Sequence, residues 1–248
     1  MSDVTATSTA ADYLVRAENV SRMYPDGHVT ALVDVSLAVR RGQYTAIVGP
    51  SGGGKSTLLN LLGALDVPTS GRVLFEEQPL SATADLDRLR ARKIGFVFQS
   101  FHLLPTLTAL ENVQIPMFEG PRLSASQRAS KAGQLLVAVG LSHRATHLPK
   151  QMSVGERQRT AIARALANDP MLLLADEPTG NLDSQVGGEI LDLFDRLHRD
   201  RSMTLIVITH SAEIARRAQQ IITLRDGRIV SNESVADFLS DADATTVE

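Results

Sequence analysis

Gly49-Pro50-Ser51-Gly52-Gly53-Gly54-Lys55-Ser56 gathers four glycines, a lysine and two hydroxyls into eight residues. Glycines let successive backbone N–H groups turn inward, and a helix starting there adds partial positive charge, so the segment suits a polyphosphate. Glycine, four residues, then Gly-Lys-Ser is the P-loop pattern. Lys55 is expected to reach the β- and γ-phosphates as a point charge, and the Ser56 hydroxyl to ligate Mg²⁺, which takes oxygen donors and few protein ligands. A second pair stands at the end of Met171-Leu172-Leu173-Leu174-Ala175, an apolar run closed by Asp176 and Glu177. Two carboxylates at the carboxyl end of a buried strand lie where open α/β sheets bind ligands. Asp176 is expected to hold the magnesium through water, and Glu177 to polarise the water attacking the γ-phosphate. Taken alone, such a pair is more often a solvated turn or helix start; the phosphate loop in the same chain reverses that reading.

The elements that must position these groups follow from periodicity. Tyr44–Val48 is a β-favouring run ending at Gly49, and Lys55–Leu62 is a breaker-free helix stopping at Gly63, a helix C-cap. Further strands are expected at Ala31–Val39, Ile94–Phe98, Met171–Ala175 and Thr204–Thr209, with helical stretches such as Glu189–His198 between them. That alternation implies a largely parallel sheet with helices on both faces. From Gln99 to about Arg164 the strand signal vanishes. Thr108, Ser124 and Ser153 are each followed three residues later by Glu or Gln, marking helix starts in an inserted helical subdomain. Ile221–Leu224, Asp226-Gly227 and Arg228–Val230 predict a hairpin with a tight turn. The expected division is one domain over 12–240, its helical subdomain at about 100–165, with unstructured ends at 1–11 and 241–248.

Composition narrows the class. Lys plus Arg number 25 and Asp plus Glu 28, so no bulk charge argues for nucleic acid. The most apolar runs, such as Leu58–Leu65 and Leu205–Ile208, fall well short of the roughly 20 residues a membrane helix needs. The N-terminal MSDVTATSTAAD lacks the basic start and apolar stretch of a secretory signal, which places the chain in the cytoplasm. With no cysteine, neither a disulfide framework nor a thiolate metal site is open to it.

Met152-Ser153-Val154-Gly155-Glu156-Arg157-Gln158-Arg159, ahead of LLLADEPTGNLD, resembles the signature of ABC-type ATPases, normally Leu-Ser-Gly-Gly followed by Gln or Glu. The resemblance spans essentially the whole chain. It implies an α/β P-loop NTPase (RecA-like) fold: a mostly parallel sheet core, an N-terminal antiparallel β subdomain and the inserted helical subdomain. It further implies ATP held by Tyr24 against adenine, by Gly49, Pro50, Ser51, Gly52, Gly53, Gly54, Lys55, Ser56 and Thr57, and by Gln99. Ser56, Gln99 and Asp176 would ligate Mg²⁺; Glu177, His210 and Lys55 would form the catalytic set, with His210 contacting the γ-phosphate. Ser153, Val154, Gly155 and Glu156 would grip the ATP of a second subunit in a head-to-tail homodimer, with Asp183 in the D-loop. Two integral membrane permease subunits would dock through about 99–118, where Phe101–Leu107 is expected to be partly exposed. The chain would then sit peripherally on the cytoplasmic face of the inner membrane, without nucleic acid.

Within the family, HLLPTLTALENV, VGLSHRATHLP, GERQRTAIARAL and LADEPTGNLDS are most similar to the ATPases of lipoprotein-releasing (LolD) and macrolide-exporting (MacB) systems. That implies outward lipoprotein release, with peptide or macrolide export and cell-wall remodelling as the alternatives. Soluble relatives acting on ribosomes or DNA usually carry two ATPase domains or a long coiled coil, neither of which is present. A nucleotide sensor that binds without hydrolysing is opposed by Glu177 and His210. Each feature also has a plainer reading: Ser153 with Glu156 is a capping box, Tyr24 can be packing, Gln99 a strand-end polar residue, and Phe101–Leu107 core. Val154 departs from the family's glycine. It is strained if that position needs φ > 0 and tolerated at modest cost if it is helical or extended; Ser153 and Gly155 are expected to suffice, with closure weakened but retained.

Overall fold

A computed structural model describes residues 12–24 and 29–238; the ends assigned to 1–11 and 241–248 lie outside them. The chain opens with β1 (Tyr13–Tyr24), β2 (Val29–Arg40) and β3 (Tyr44–Val48), then helix α1 (Lys55–Leu62), β4 (Ser70–Phe75) and β5 (Gln78–Pro79). There follow α2 (Leu86–Lys93), β6 (Ile94–Val97), and three helices, α3 (Ala109–Gln114), α4 (Ala125–Ala138) and α5 (Val154–Ala165). The chain returns through β7 (Leu172–Asp176), α6 (Ser184–Arg201), β8 (Thr204–Ile208), α7 (Ala212–Arg217), β9 (Gln220–Arg225) and β10 (Arg228–Ser234). Six strands form the central sheet in the order β10-β9-β3-β8-β7-β6, parallel except for the β9–β10 hairpin. The remaining four make an antiparallel sheet, β2-β1-β4-β5.

Two cores explain why the central strands are apolar throughout rather than alternating. Leu172, Leu174, Ile206, Ile208 and Ile222 point to one face, packing with Leu58, Leu59 and Leu62 of α1 and with Val20, Leu32 and Phe75 of the antiparallel sheet. Their neighbours Leu173, Ala175, Leu205, Val207 and Ile221 point to the other face, against Leu136, Ile162, Ile190 and Phe194 from the helices. Each fully buried Leu or Ile contributes about 1.5–3 kcal/mol, so both faces are committed to packing. The strands' carboxyl ends are left to carry chemistry.

The three capping boxes form at Thr108, Ser124 and Ser153. Asp226 (φ 49°) and Gly227 (φ 72°) supply the two positive φ values of a tight hairpin turn. That turn is tied to its surroundings, since Val33 N–H donates to Gly227 O at 2.8 Å and Gly227 N–H to Gly53 O at 3.2 Å. Gly63 is the C-cap of α1, as expected, with φ −88° rather than a left-handed value; a Cβ there would lie 2.5 Å from the Phe96 ring and 2.7 Å from Leu174 Cδ1. Close packing, and not backbone handedness, is what demands glycine.

β1, β4 and α2 were not located by periodicity. In β1 the pairing register shifts at several points and Asn19 takes φ 49°, so burial does not alternate. α2 buries none of its residues fully, and its start is marked by Asp85, whose carboxylate accepts from Arg88 N–H at 2.8 Å.

Candidate nucleotide site

β3 delivers the chain to Gly49, and α1 begins six residues later at Lys55. Between them Gly49, Gly52 and Gly54 adopt φ values of 143°, 77° and 96°. A Cβ on Gly49 would overlap the Leu224 carbonyl oxygen, and one on Gly54 the Ala31 carbonyl oxygen, so the loop is wedged between β9 and β2. No side chain caps the first turn of α1, and no acidic residue occupies it; its field is therefore open to an anion. Lys55 is 6% exposed, and its Nζ donates to the carbonyls of Gly49 (2.9 Å) and Pro50 (2.8 Å).

A cavity of about 520 Å³ lies over this loop, lined by Tyr24, Val29, Thr30, Ala31, Ser51, Gly52, Gly54, Lys55, Ser56, Thr57, Gln99, Asp176 and Glu177. The lysine and both carboxylates thus share one space. Burial pushes the Asp176 carboxyl above the usual range; a hydrogen bond with the Ser56 hydroxyl opposes this, adjacent Glu177 adds to it, and Lys55 counteracts it. Glu177 takes a left-handed backbone, φ 43°, held by its N–H donating to Ile208 O at 3.0 Å. Its Oε1 is 3.4 Å from His210 Nδ1. A Cβ on Gly180 would lie 2.9 Å from Gln99 Nε2 and 3.4 Å from Glu177 Oε2, so both side chains approach that glycine closely.

Ser56, Gln99 and Asp176 present hydroxyl, amide and carboxylate oxygens, the donor set of a hard divalent cation. No group of three His, Asp or Glu suited to a metal exists among the described residues. Gly49, Pro50 and Gly53 stand behind the cavity rather than lining it, and His210, its side chain 70% exposed, sits at the rim. Val29, Thr30 and Ala31 were missed because two of them are apolar and the Thr30 hydroxyl stands in no motif. Their signal was positional: Val29 pairs with Tyr24, and Thr30 with Met23, across β1 and β2.

The signature residues lie elsewhere. Ser153 Oγ accepts from Glu156 N–H at 3.2 Å while Glu156 Oε2 accepts from Ser153 N–H at 2.8 Å, and Arg144 Nε donates to Glu156 Oε1 at 2.8 Å. Val154 is the first residue of α5, outside the left-handed region. Of the two possibilities open in the sequence, the backbone is therefore the tolerant one. A Cβ on Gly155 would lie 2.5 Å from Val186 Cγ1, so this glycine admits α6 against α5. Asp183 caps α6, accepting from Val186 N–H at 3.0 Å. None of Ser153, Val154, Gly155, Glu156 or Asp183 lines the cavity of its own chain. Gln158, also missed, is fully buried and donates through Nε2 to Pro178 O at 2.7 Å. It ties α5 to the residue after Glu177.

A second, mostly apolar groove of about 480 Å³ runs between α2, β6 and the helical insertion, with Leu65, Ile94, Phe96, Phe98, Ile115, Pro116 and Asn168 among its walls. No side chain in Phe101–Leu107 is fully buried, and Leu104 is 48% exposed. Only His102 of that stretch lines the groove. Arg164 holds the stretch in place by donating to the Phe101 and His102 carbonyls.

The family model described as ABC transporter matches residues 32–180, from β2 past Glu177. An uncharacterized ABC transporter ATP-binding protein of Thermotoga maritima is 53% identical over 215 residues, 85% of this chain and 91% of that protein. Among solved structures, the ATP-binding cassette MJ0796, in a dimeric post-hydrolysis state bound to ADP and Pi, matches with a TM-score of 0.83 at 42% identity. The match covers 89% of this chain and 98% of that one. CbiO1 from Clostridium perfringens, part of the ABC transporter complex CbiONQ, matches with a TM-score of 0.84 at 27% identity over 94% of this chain and 93% of its own. With a phosphate loop, paired carboxylates and a signature helix on this fold, the chain belongs to the ABC transporter family as an ATP-binding subunit, and it is an ATPase.

Proposed function

We propose that two copies of the chain close head to tail over two ATP molecules and so drive separate membrane subunits, and that the cargo is a lipoprotein released outward from the cytoplasmic membrane. The observation that carries the dimer is the separation within one chain: Lys55, Ser56, Asp176 and Glu177 line the cavity, whereas Ser153 at the start of α5 does not. Lying outside the cavity, Ser153 and the start of α5 can meet another copy's nucleotide, with the Glu156 carboxylate engaged by Arg144. The MJ0796 cassette is dimeric in a post-hydrolysis state bound to ADP and Pi, which supports a dimer here.

In this reading the P-loop amides and Lys55 orient the triphosphate, and Tyr24 stacks on adenine. Ser56, Gln99 and Asp176 would hold Mg²⁺, which would neutralise phosphate charge. Glu177 accepts a proton from the attacking water, and His210 contacts the γ-phosphate from the rim. Gln158 links α5 to the Glu177 segment, so a displacement of the signature helix is felt beside the water-activating carboxylate. One ATPase domain spans 12–240, with its helical subdomain at about 100–165.

In this reading the membrane subunits are separate chains; no helix among the described residues is long and apolar enough to cross a bilayer. They would dock near the apolar groove and the exposed 99–118 segment, placing the chain peripherally on the cytoplasmic face of the inner membrane. Nearly balanced charge argues against a nucleic-acid partner. Lipoprotein as cargo rests on the likeness of residues 102–113, 139–149, 155–166 and 174–184 to the lipoprotein-releasing and macrolide-exporting branch. Macrolide or peptide export and cell-wall remodelling are the competing cargoes.

The test is purification of the full chain from membranes, followed by reconstitution of whatever integral proteins accompany it. The expected result is two copies of the chain with membrane subunits, releasing a lipoprotein from proteoliposomes when ATP is added. Release of no lipoprotein, with export of macrolide or peptide instead, would overturn the cargo. A lone monomer under MgATP would overturn the dimer.

A further inference from the structure

We propose that Arg22 and Asp66 are positioning residues for the nucleobase, locking the Tyr24 ring as a flat platform at a fixed distance from the phosphate loop. This rests on the reading of Tyr24 as the group that stacks on adenine. The Tyr24 hydroxyl donates to Asp66 Oδ2 at 2.9 Å, while Arg22 reaches Asp66 Oδ1 at 2.8 Å. The Arg22 guanidinium also lies over the Tyr24 ring, 4.6 Å from its centroid. Three side chains therefore close on one another, and the aromatic ring has lost its freedom before any ligand arrives.

Tyr24 lines the nucleotide cavity, whereas Arg22 and Asp66 do not. Arg22 packs on the ring from outside the cavity wall, and the ring surface that lines the cavity is left for a planar base. Asp66 is itself fixed. Its N–H and that of Leu65 both donate to Asn60 O, at 3.3 and 2.8 Å, and its Oδ1 accepts from Val67 N–H at 2.8 Å. Asn60 belongs to α1, the helix whose first turn faces the phosphates. One rigid helix of eight residues, about 12 Å long at 1.5 Å per residue, therefore carries the phosphate cradle at one end and the anchor of the base platform just beyond the other.

A ring ordered in advance binds more tightly because it does not have to be ordered on binding, and a cation over its far face holds its plane. The triphosphate contacts gain nothing from this arrangement. Loosening the ring must therefore weaken a nucleotide and spare a bare polyphosphate.

Equilibrium dissociation constants of the full chain for MgATP and for magnesium tripolyphosphate, which has no base, separate the two. Arg22→Met and Asp66→Ala are expected to raise the Kd for MgATP about three- to tenfold, and Tyr24→Ala about tenfold or more. The Kd for tripolyphosphate should stay within about twofold in all three, which also shows that the variants are folded. If Tyr24→Ala weakens MgATP but Arg22→Met and Asp66→Ala do not, the positioning role is wrong and the stacking role stands. If Tyr24→Ala leaves MgATP binding unchanged, both fall. Equal weakening of both ligands would mean that the triad merely holds the fold, and would overturn the proposal.

Discussion

Glu177→Gln is expected to lower ATP turnover by about 100-fold or more at saturating ATP while nucleotide affinity stays within about threefold. The carboxamide has nearly the shape of the carboxylate, and its backbone is held independently by the bond to Ile208 O. What it lacks is the capacity to take a proton from water. The φ of 43° at Glu177 is costly for a residue with a side chain. Such strain persists only where the surroundings impose it, here through the Ile208 bond and the Gly180 N–H donating to Glu177 O at 3.1 Å. Steady-state hydrolysis and equilibrium ATP binding on the same preparation check this. Undiminished turnover would place the base elsewhere.

Gly49→Ala is expected to have the largest effect on the folded state, destabilising it by more than about 3 kcal/mol and abolishing measurable ATP binding. At φ 143° an alanine is already strained, and its methyl would overlap the Leu224 carbonyl oxygen, a backbone atom that cannot rotate away. Gly52 is the internal control. Its φ of 77° is also left-handed, but a Cβ there meets nothing within 4 Å, so Gly52→Ala should cost only about 1–2 kcal/mol. Urea denaturation of the two variants gives the comparison directly. Similar midpoints would show that the wedge between β9 and β2 does not constrain the loop.

The phosphate loop and the carboxylate pair were legible in the sequence because their chemistry and position coincide. A buried strand must be apolar to its end, so Asp176 and Glu177 announce the point at which it stops being buried. Capping boxes at Thr108, Ser124 and Ser153 were equally clear, since two reciprocal hydrogen bonds fix both residue types and their spacing. β1 was not legible, because its bulged register at Asn19 scrambles the alternation that marks a half-buried strand. α2 was hidden for the opposite reason: LDRLRARK buries nothing fully, so no apolar stripe records its helical period.

Within the site, residues acting through backbone or through long-range contact escaped. Ala31 contributes a carbonyl to the wall behind Gly54, and no side-chain code specifies that. Gln158 earns its place through one hydrogen bond to Pro178, twenty residues on, and Asp66 through bonds to Tyr24 and Arg22 more than forty residues back. Gly63 and Gly155 look like cap and signature glycines, yet each also makes room for a specific neighbour, Phe96 and Val186 respectively. Only the tertiary arrangement reveals those partners.

A crystal structure of the Glu177→Gln variant with MgATP tests the shared cavity most directly. The expected result is a triphosphate between the P-loop and residue 177, with Lys55 Nζ drawn from the Gly49 and Pro50 carbonyls onto the β- and γ-phosphate oxygens. Asp176 and Ser56 should flank the metal in the same space. A triphosphate bound away from Asp176 and residue 177, or Lys55 still turned to the loop carbonyls with the nucleotide in place, would contradict it.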